Sequence, residues 1–593
     1  MPTLSRFQVL SAKLRQRSAE LRRLPRLVGS VLPALLGARL SRRESLLHVL
    51  ATRAQRTPHA PALLFQDQRT SYAELWARIE RAAALLQAEG VRAGDVVGLL
   101  GRNSDAYVVQ LLAAARLGAV VALLNPELSS EGLTQALRAG GVRAVLVEAR
   151  LAALAPATTA LTTWIYDSPA FAASLALARS APEATVLPTG DQDFVYVYTS
   201  GTTGPSKPAR LNHRRSLLAA TAFGQMAHQL QRNDVVYCAL PLHHASALLL
   251  GLGACVQAGA TLALRERFSA SALLDDVRRF EATVLLYIGE LGRALLRTAP
   301  DGRDREHRLR LAVGNGLSAE VWPALQERFG IPQVCEFYAA TDFPGAIVNI
   351  TGTIGSVGHI VLARVRGYRL LRVDTVTGAL VRSPSGRALE CAAGETGELV
   401  LRLRASAGRA TGVYGGYVEQ QHTASRLLRD VFRAGDLYCR SGDLLRRDEA
   451  GHYWFVDRLG DSFRFKGENV ASCEVEAAFA GTPGVAHVAS VGVAVPGVDG
   501  RPGLLVVGSD AEPSLDELTE RSRTLPHYAR PCFVRVVPAI ELTASLKLKK
   551  RTLAAQGVDP TQVSGPLYFW DGQRYAALDR LAFSRIVEGQ LRL

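Results

Sequence analysis

Only six of the 69 basic residues in this 593-residue chain are lysines: Lys13, Lys207, Lys466, Lys547, Lys549 and Lys550. Lys207 closes the stretch Thr199, Ser200, Gly201, Thr202, Thr203, Gly204, Pro205, Ser206, Lys207. Four hydroxyl side chains between Thr199 and Thr203, two glycines and one ammonium suit the holding of phosphate oxygens. The backbone N–H groups of a small-residue turn come close to an anion, and glycine permits that approach. The spacing is not that of a Walker A loop. Lysine offers a compact point charge where the planar fork of arginine does not fit. Taken alone, a Gly/Ser/Thr turn is more often a plain structural loop than a phosphate site.

Such a turn needs elements to position it. Residues 194–198 alternate β-branched and aromatic side chains and predict a strand. The turn over 199–207 follows, and 214–230 predicts a helix. Upstream, Ser71 and Glu74 form a capping box ahead of a helix ending near Gly90. Short apolar strands over 95–100, 120–125 and 144–148 alternate with helices over 105–117 and 130–139. This alternation implies βαβ crossovers and a parallel sheet, and it recurs from Asp193 to about Ile331. Residues 353–445 carry more β signals and Gly turns. After Asp457 comes a compact α+β segment.

Further motifs follow in order. Residues 240–244 read Leu-Pro-Leu-His-His, and 310–317 hold the turn Gly314-Asn315-Gly316. Residues 336–342 read Glu-Phe-Tyr-Ala-Ala-Thr-Asp, and 440–476 read RSGDLLRRDEAGHYWFVDRLGDSFRFKGENVASCEVE. With the turn at 199–207, these strings resemble the adenylate-forming (ANL) superfamily. Its phosphate loop is usually Thr-Ser-Gly-Thr-Thr-Gly-x-Pro-Lys, whereas here the proline is moved ahead of Ser206. The stretches over 285–296, 312–342, 461–476 and 525–538 are similar to its very-long-chain acyl-CoA synthetase and fatty acid transport protein branch. The likeness runs from about Leu47 to the C-terminus.

The resemblance implies a large α/β adenylation domain with parallel βαβ-type sheets and a β-rich subdomain, then a small mobile α+β C-terminal domain. The expected boundaries are a basic amphipathic arm over 1–46, an AMP-binding domain over 47–458 and a mobile domain over 459–593. It implies ATP, Mg²⁺ and coenzyme A. A carboxylate attacks the α-phosphate of ATP, and the thiol of coenzyme A then displaces AMP.

Residue by residue, the likeness assigns Thr199, Ser200, Gly201, Thr202, Thr203, Gly204 and Lys207 to the phosphates. Gly314, Asn315, Gly316 and Tyr338 fall at adenine, Asp443 and Arg458 at the ribose. Thr341 falls at the α-phosphate, and Asp342 at the metal, where the family has Glu. Lys547 stands at the mobile catalytic lysine, although Ala544 replaces the usual turn glycine. Gly460 marks the hinge, Gly467 the loop that turns toward the thiol, and His244 the mouth of the acyl site. The apolar runs over 245–256 and 284–296 are expected to wall that site, and equally have the composition of a sheet core.

Composition bounds the rest. A chain of 593 residues is too long for one core. Its seven cysteines are scattered without a C-x-x-C pair, which argues against a disulfide scaffold or zinc site and fits a reducing cytoplasm. The net charge of +15 favours anionic partners. Arginines are dispersed and no nucleic-acid motif stands out, so nucleic acid is not an expected partner. The first 50 residues carry ten basic residues against Glu20 and Glu44. Their apolar run over 27–36 is too short to span a bilayer. The arm reads as an interfacial helix attracted to anionic lipid or as a basic helix on the protein's own body.

The resulting expectation is an ATP-dependent ligase for long- or very-long-chain fatty acids, cytoplasmic and peripheral to the membrane. The alternatives are a ligase for another lipophilic carboxylate, such as a sterol side-chain acid, and a catalytically weak lipid-binding homologue. Oligomeric state is not legible.

Overall fold

The computed structural model describes residues 44–154, 161–183, 186–199, 207–360, 363–374, 377–406, 409–411, 414–466, 468–498, 500–541, 548–591 and 593. Of the expected features, the arm up to residue 43, Ser200, Gly201, Thr202, Thr203, Gly204, Ser206, Gly467, Ala544 and Lys547 lie outside the described residues. The chain divides into two compact units. The first holds residues 1–361, 403–427 and 450–452, and the second holds 362–402, 428–449 and 453–593.

The first unit contains two sheet systems. Strands β1 (Pro61–Phe65) and β2 (Gln68–Ser71) form a hairpin, followed by β3 (Val96–Leu100), β4 (Val120–Leu124), β5 (Ala144–Val147), β6 (Thr162–Ile165), β7 (Asp193–Thr199) and β8 (Lys207–Asn212). One sheet has the order β6-β5-β3-β4-β7-β8. Its pairs are parallel except β7 with β8. The chain continues through β9 (Val235–Cys238), β10 (Thr261–Leu264), β11 (Val284–Ile288), β12 (Leu311–Asn315), β13 (Val334–Ala340), β14 (Phe343–Val348) and β15 (Gly358–His359). These make the run β15-β14-β13-β12-β11-β9-β10-β1-β2, parallel from β13 to β1.

The predicted capping box is present, and two further helices carry serine caps. Ser71 caps Tyr72–Ala88 through the Glu74 capping box, and Ser104 caps Asp105–Arg116. Ser129 caps Ser130–Gly140, which ends on Gly141 in the left-handed region.

One local expectation differs. The sequence suggested strand, turn and helix around 194–230, but β8 intervenes and pairs antiparallel with β7, setting Thr199 opposite Lys207. The reason is legible afterwards: Pro208, Ala209 and Leu211 are buried, while Arg210 pairs with Asp193 at 2.8 Å. The helix therefore starts at His213, capped by Asn212, and passes from α to π form after Ala222. The six residues of β8 separate that helix from Thr199.

The second unit has an antiparallel run of β16 (Tyr368–Leu371), β17 (Thr396–Arg402), strand Leu437–Arg447 and strand His452–Arg458. It also has a five-stranded mixed sheet, His487–Gly492, Gly503–Gly508, Phe533–Val537, Leu567–Trp570 and Tyr575–Ala577 in that order. Helices Ser472–Phe479 and Leu515–Arg523 contribute Val475, Phe479 and Leu518 to the core on one face. Helices Lys550–Gln556 and Arg580–Val587 contribute Leu553 and Ile586 to the other. The α/β class, the β-rich segment and the α+β C-terminal part are as the sequence predicts.

Candidate active site

In open parallel sheets, ligands bind beyond the carboxyl ends of the strands. Strands β9, β11 and β12 are neighbours in parallel, with Leu286 opposite Cys238 and Ile288 opposite Asn315. Their following loops therefore emerge side by side. After β9, Asn103 holds the loop 240–244: its Nδ2 donates to the Leu240 carbonyl at 2.9 Å, and its Oδ1 accepts from Leu242 N at 2.8 Å. The His243 and His244 rings stand 4.3 Å apart. Burial, then the neighbouring His244, holds the His243 imidazole well below its usual range. The apolar run beyond them forms a π-helix, Ser246–Gly253. Leu248, Leu249 and Leu250 join Leu285, Leu286 and Leu291 in one buried cluster, so the two runs expected to wall the acyl site do share a core.

After β12, Gly316 takes φ +90°, a conformation that favours glycine. A Cβ on Gly314 would strike the Tyr287 carbonyl, and one on Gly289 would strike the Gly316 carbonyl. These glycines let the turn close onto the end of β11. Behind it, Glu336 on β13 accepts from Gly316 N at 3.0 Å, Leu317 N at 2.9 Å and the Tyr287 hydroxyl at 2.8 Å. Tyr338, two residues further on, is buried.

Thr341 and Asp342 form the tip of the β13–β14 hairpin. Arg215 donates to the carbonyls on either side of that tip, Ala340 at 3.3 Å and Phe343 at 2.8 Å. Asp342 is buried, and its Oδ2 accepts from the Tyr417 hydroxyl at 2.6 Å and from Arg426. Residues 416–418 lie along β8, through Arg210 N to Gly416 O at 2.9 Å and Val418 N to Pro208 O at 3.1 Å. Tyr417 thus ties the hairpin that carries Thr199 and Lys207 to the Asp342 carboxylate. Burial, then Asp342, pushes its hydroxyl up to about 12, so it remains a donor. Asp342 is a hard oxygen ligand of the kind Mg²⁺ takes, alongside substrate phosphates and water. By donor chemistry this carboxylate fits that metal.

The second unit holds the remaining described candidates. Asp443 and Arg458 are cross-strand partners, with Nε and Oδ1 at 3.9 Å. Glu398, fully buried, binds Arg440 at 2.6 Å and accepts from Gly442 N at 3.0 Å, which fixes the bend just before Asp443. Gly460 has φ +96° and open space where a Cβ would stand. On either side of it, buried Asp457 accepts from Ser462 Oγ at 2.9 Å and from Ser472 N at 2.7 Å. Lys466 takes φ +50° and stacks its ammonium 5.2 Å from the centre of the Phe465 ring.

Two lysines beside Lys547 are already engaged. Lys549 pairs with Glu541 at 2.8 Å on the surface. Lys550 donates to Ser472 Oγ at 2.7 Å and pairs with Glu476 at 2.8 Å. Burial pulls the Lys550 ammonium down, but the Glu476, Cys473 and Asp457 groups outweigh it and raise it above the usual lysine range.

Sequence reasoning missed Arg215, Tyr287, Glu336, Tyr417 and Arg426. Glu336 begins a recognised motif, and its carboxyl type was signal enough. Arg215 is one of many arginines. Tyr417 and Arg426 lie 75 and 84 residues from Asp342 and carry no local signature.

With this geometry in hand, the likenesses to known proteins are specific. The AMP-binding enzyme family matches residues 50–414, and the AMP-binding enzyme C-terminal domain matches residues 474–547. Human long-chain fatty acid transport protein 1 is 36% identical over 551 residues, covering 88% of this chain and 84% of that protein. The medium/long-chain-fatty-acid–CoA ligase FadD6 of Mycobacterium tuberculosis is 35% identical over 561 residues, covering 92% and 91%. ATP-bound MatB from Rhodopseudomonas palustris superposes with a TM-score of 0.71 at 25% identity, covering 86% and 99%. The chain belongs to the AMP-binding, adenylate-forming enzyme family, in its very-long-chain acyl-CoA synthetase and fatty acid transport protein branch, and is an AMP-forming ligase.

Proposed function

We propose that the chain activates a long- or very-long-chain fatty acid through an acyl-adenylate and transfers the acyl group to coenzyme A. The observation that carries this reading is Tyr417, which joins Asp342 to the hairpin of Thr199 and Lys207. One acidic metal ligand beside a phosphate-binding turn is what attack at the α-phosphate of ATP requires. Mg²⁺, held by Asp342 and the nucleotide, would supply neutralisation of phosphate charge.

The chain's own residues do the rest. Thr341 contacts the α-phosphate, and Lys207 meets the pyrophosphate with Thr199, Ser200, Gly201, Thr202, Thr203 and Gly204. The Gly314-Asn315-Gly316 turn and Tyr338 hold adenine, while Asp443 and Arg458 hold the ribose. The Lys547 ammonium bridges carboxylate and α-phosphate in the first half reaction. Lys547 takes that role from its place in the motif, and Lys549 and Lys550 each pair with a carboxylate. Rotation about Gly460 then withdraws it and brings Gly467 toward the thiol. His244 lies at the mouth of the acyl site.

Among the described residues no helix is long and apolar enough to cross a membrane. The basic arm over 1–46 attaches the enzyme to the anionic cytoplasmic face, where its substrate partitions; deleting it should weaken binding to anionic vesicles. The function is tested with a panel of carboxylic acids, from short to very long chains and including sterol side-chain acids. The expected result is ATP-dependent pyrophosphate release with acyl-CoA of long chain length detected by mass. Lipid binding without pyrophosphate release would overturn the reading.

A further inference from the structure

Glu336 has no part in the chemistry described so far, yet it is one of the most enclosed carboxylates in the first unit, 4% exposed. It pairs in register with Gly314 across β12 and β13. Its three partners are all donors: Gly316 N on Oε2, and Leu317 N and the Tyr287 hydroxyl on Oε1. No guanidinium or ammonium bonds to it among the described residues. The titratable groups that face it are the Tyr287 phenol on β11 and the Cys335 thiol on β13, both raised by burial and by Glu336 itself, so both are neutral at ordinary pH.

We propose that Glu336 is the positioning residue for the nucleotide turn, and that its ionised form shapes that turn for the adenosine part of ATP. The inference rests on the reading of Gly314-Asn315-Gly316 as the adenine contact. Two of the donors are backbone N–H groups, which cannot reverse. An ionised carboxylate accepts from both with oxygens to spare. A protonated one would set an O–H against an N–H, or force Tyr287 to turn its own proton away in a site where it is 2% exposed. The close packing of Gly314 on Tyr287 and of Gly289 on Gly316 leaves the turn little room to relax.

Burial pushes the Glu336 carboxyl up to about 7, against the opposing pull of Leu317 N, Tyr287 and Gly316 N. The sign follows. The ionised form, and with it the shaped turn, is present above about pH 7 and is lost as pH falls through that value. If adenosine binds only the ionised form, its affinity falls about tenfold between pH 8 and pH 6.

The test is titration calorimetry of adenosine with the full chain, wild type, Glu336→Gln and Tyr287→Phe, from pH 6 to 8.5. Adenosine lacks the phosphate that titrates near pH ~6 and would confuse the profile. Wild type should weaken about tenfold toward pH 6. Glu336→Gln, which turns an amide N–H toward Gly316 N–H, should bind about tenfold more weakly at pH 8 and show a flat profile. Tyr287→Phe removes one donor to the carboxylate and should move the midpoint to higher pH, a readout that stands even if the glutamine variant folds poorly. Parallel profiles for wild type and Tyr287→Phe, or equal affinities for wild type and a folded Glu336→Gln, overturn the role of Glu336 while the nucleotide site stands. Absence of both adenosine and ATP binding by wild type at every pH overturns the nucleotide site itself, and the role of Glu336 with it.

Discussion

Two buried carboxylates support candidate nucleotide contacts in two different ways. In the first unit, Glu336 holds the turn at Gly314-Asn315-Gly316 with neutral donors only. In the second, Glu398 holds the bend at Gly442 and Asp443 together with a bidentate cation, Arg440. A carboxylate without a counter-charge is costly to bury and responds to pH near neutrality. One matched to a guanidinium is fixed in direction by a fork of N–H groups. The lesson is that Glu336 tunes its turn, whereas Glu398 and Arg440 brace a strand.

The comparison breaks first at Arg440. Arg440→Ala leaves Glu398 fully buried without its cation, a change that costs roughly 3–5 kcal/mol in comparable pairs. Thermal unfolding should fall by about 10 °C. Arg440→Met combined with Glu398→Gln should recover part of that loss, since neutral isosteres leave no stranded charge. Lys550→Ala should behave similarly but more mildly, because Glu476 and Ser472 lose a partly buried ammonium. A drop of less than 2 °C for Arg440→Ala would mean that the brace is not one.

Next comes Lys547, where the expected effect is on chemistry alone. Lys547→Ala should slow adenylate formation by about 10²-fold, the scale of removing one charge-stabilising donor. Thioester formation from supplied acyl-adenylate should change much less. Pyrophosphate release and single-turnover thioesterification measure the two halves separately. Equal impairment of both halves defeats the assignment.

The sequence made the α/β alternation legible because caps and apolar runs are local. Ser71 with Glu74, the helices over 105–117 and 130–139 and the strands between them stand where the pattern predicts. Strand β8 was not legible, because Pro208 and Arg210 obscure its alternation and its pairing with β7 and with residues 416–418 is supplied by the fold. The order of motifs singled out Asp443 and Arg458, which the fold makes cross-strand partners. Tyr417 and Arg426 escaped notice because nothing near them in the chain points to Asp342. Pairing over 75 residues or more is a property of the fold, and no local rule of spacing contains it. The lysine pattern was informative but divides by environment: Lys550 braces, Lys549 is a surface partner, and Lys466 stacks on Phe465.

A smaller effect is expected at Lys207. Thr199 and Lys207 face one another at the base of the hairpin, and Thr199 Oγ1 reaches the Lys207 carbonyl at 3.4 Å. Lys207→Arg keeps the charge but replaces a point ammonium with a planar fork. Pyrophosphate release should fall about tenfold, less than for loss of a charge-stabilising donor, with unfolding temperature unchanged. Identical kinetics would show that charge alone suffices at the turn, and that the scarcity of lysine carries no message there.

The smallest effect, and the sharpest control, belongs to Lys549. It stands two residues from Lys547, so a register error at Ala544 would transfer the catalytic role to it. Its ammonium meets Glu541 at 2.8 Å, with 46% of the lysine side chain and 73% of the glutamate side chain exposed. Exposed pairs of this kind contribute about 0–1 kcal/mol, because water screens the attraction and two long side chains lose freedom. Lys549→Ala should therefore leave both half reactions within about twofold of wild type, and high salt should erase whatever difference remains. Glu541→Ala should match it, since either change removes the same contact. If Lys549→Ala instead slows adenylation selectively while Lys547→Ala does not, the catalytic lysine is Lys549, and its bond to Glu541 is a resting contact that the first half reaction must break.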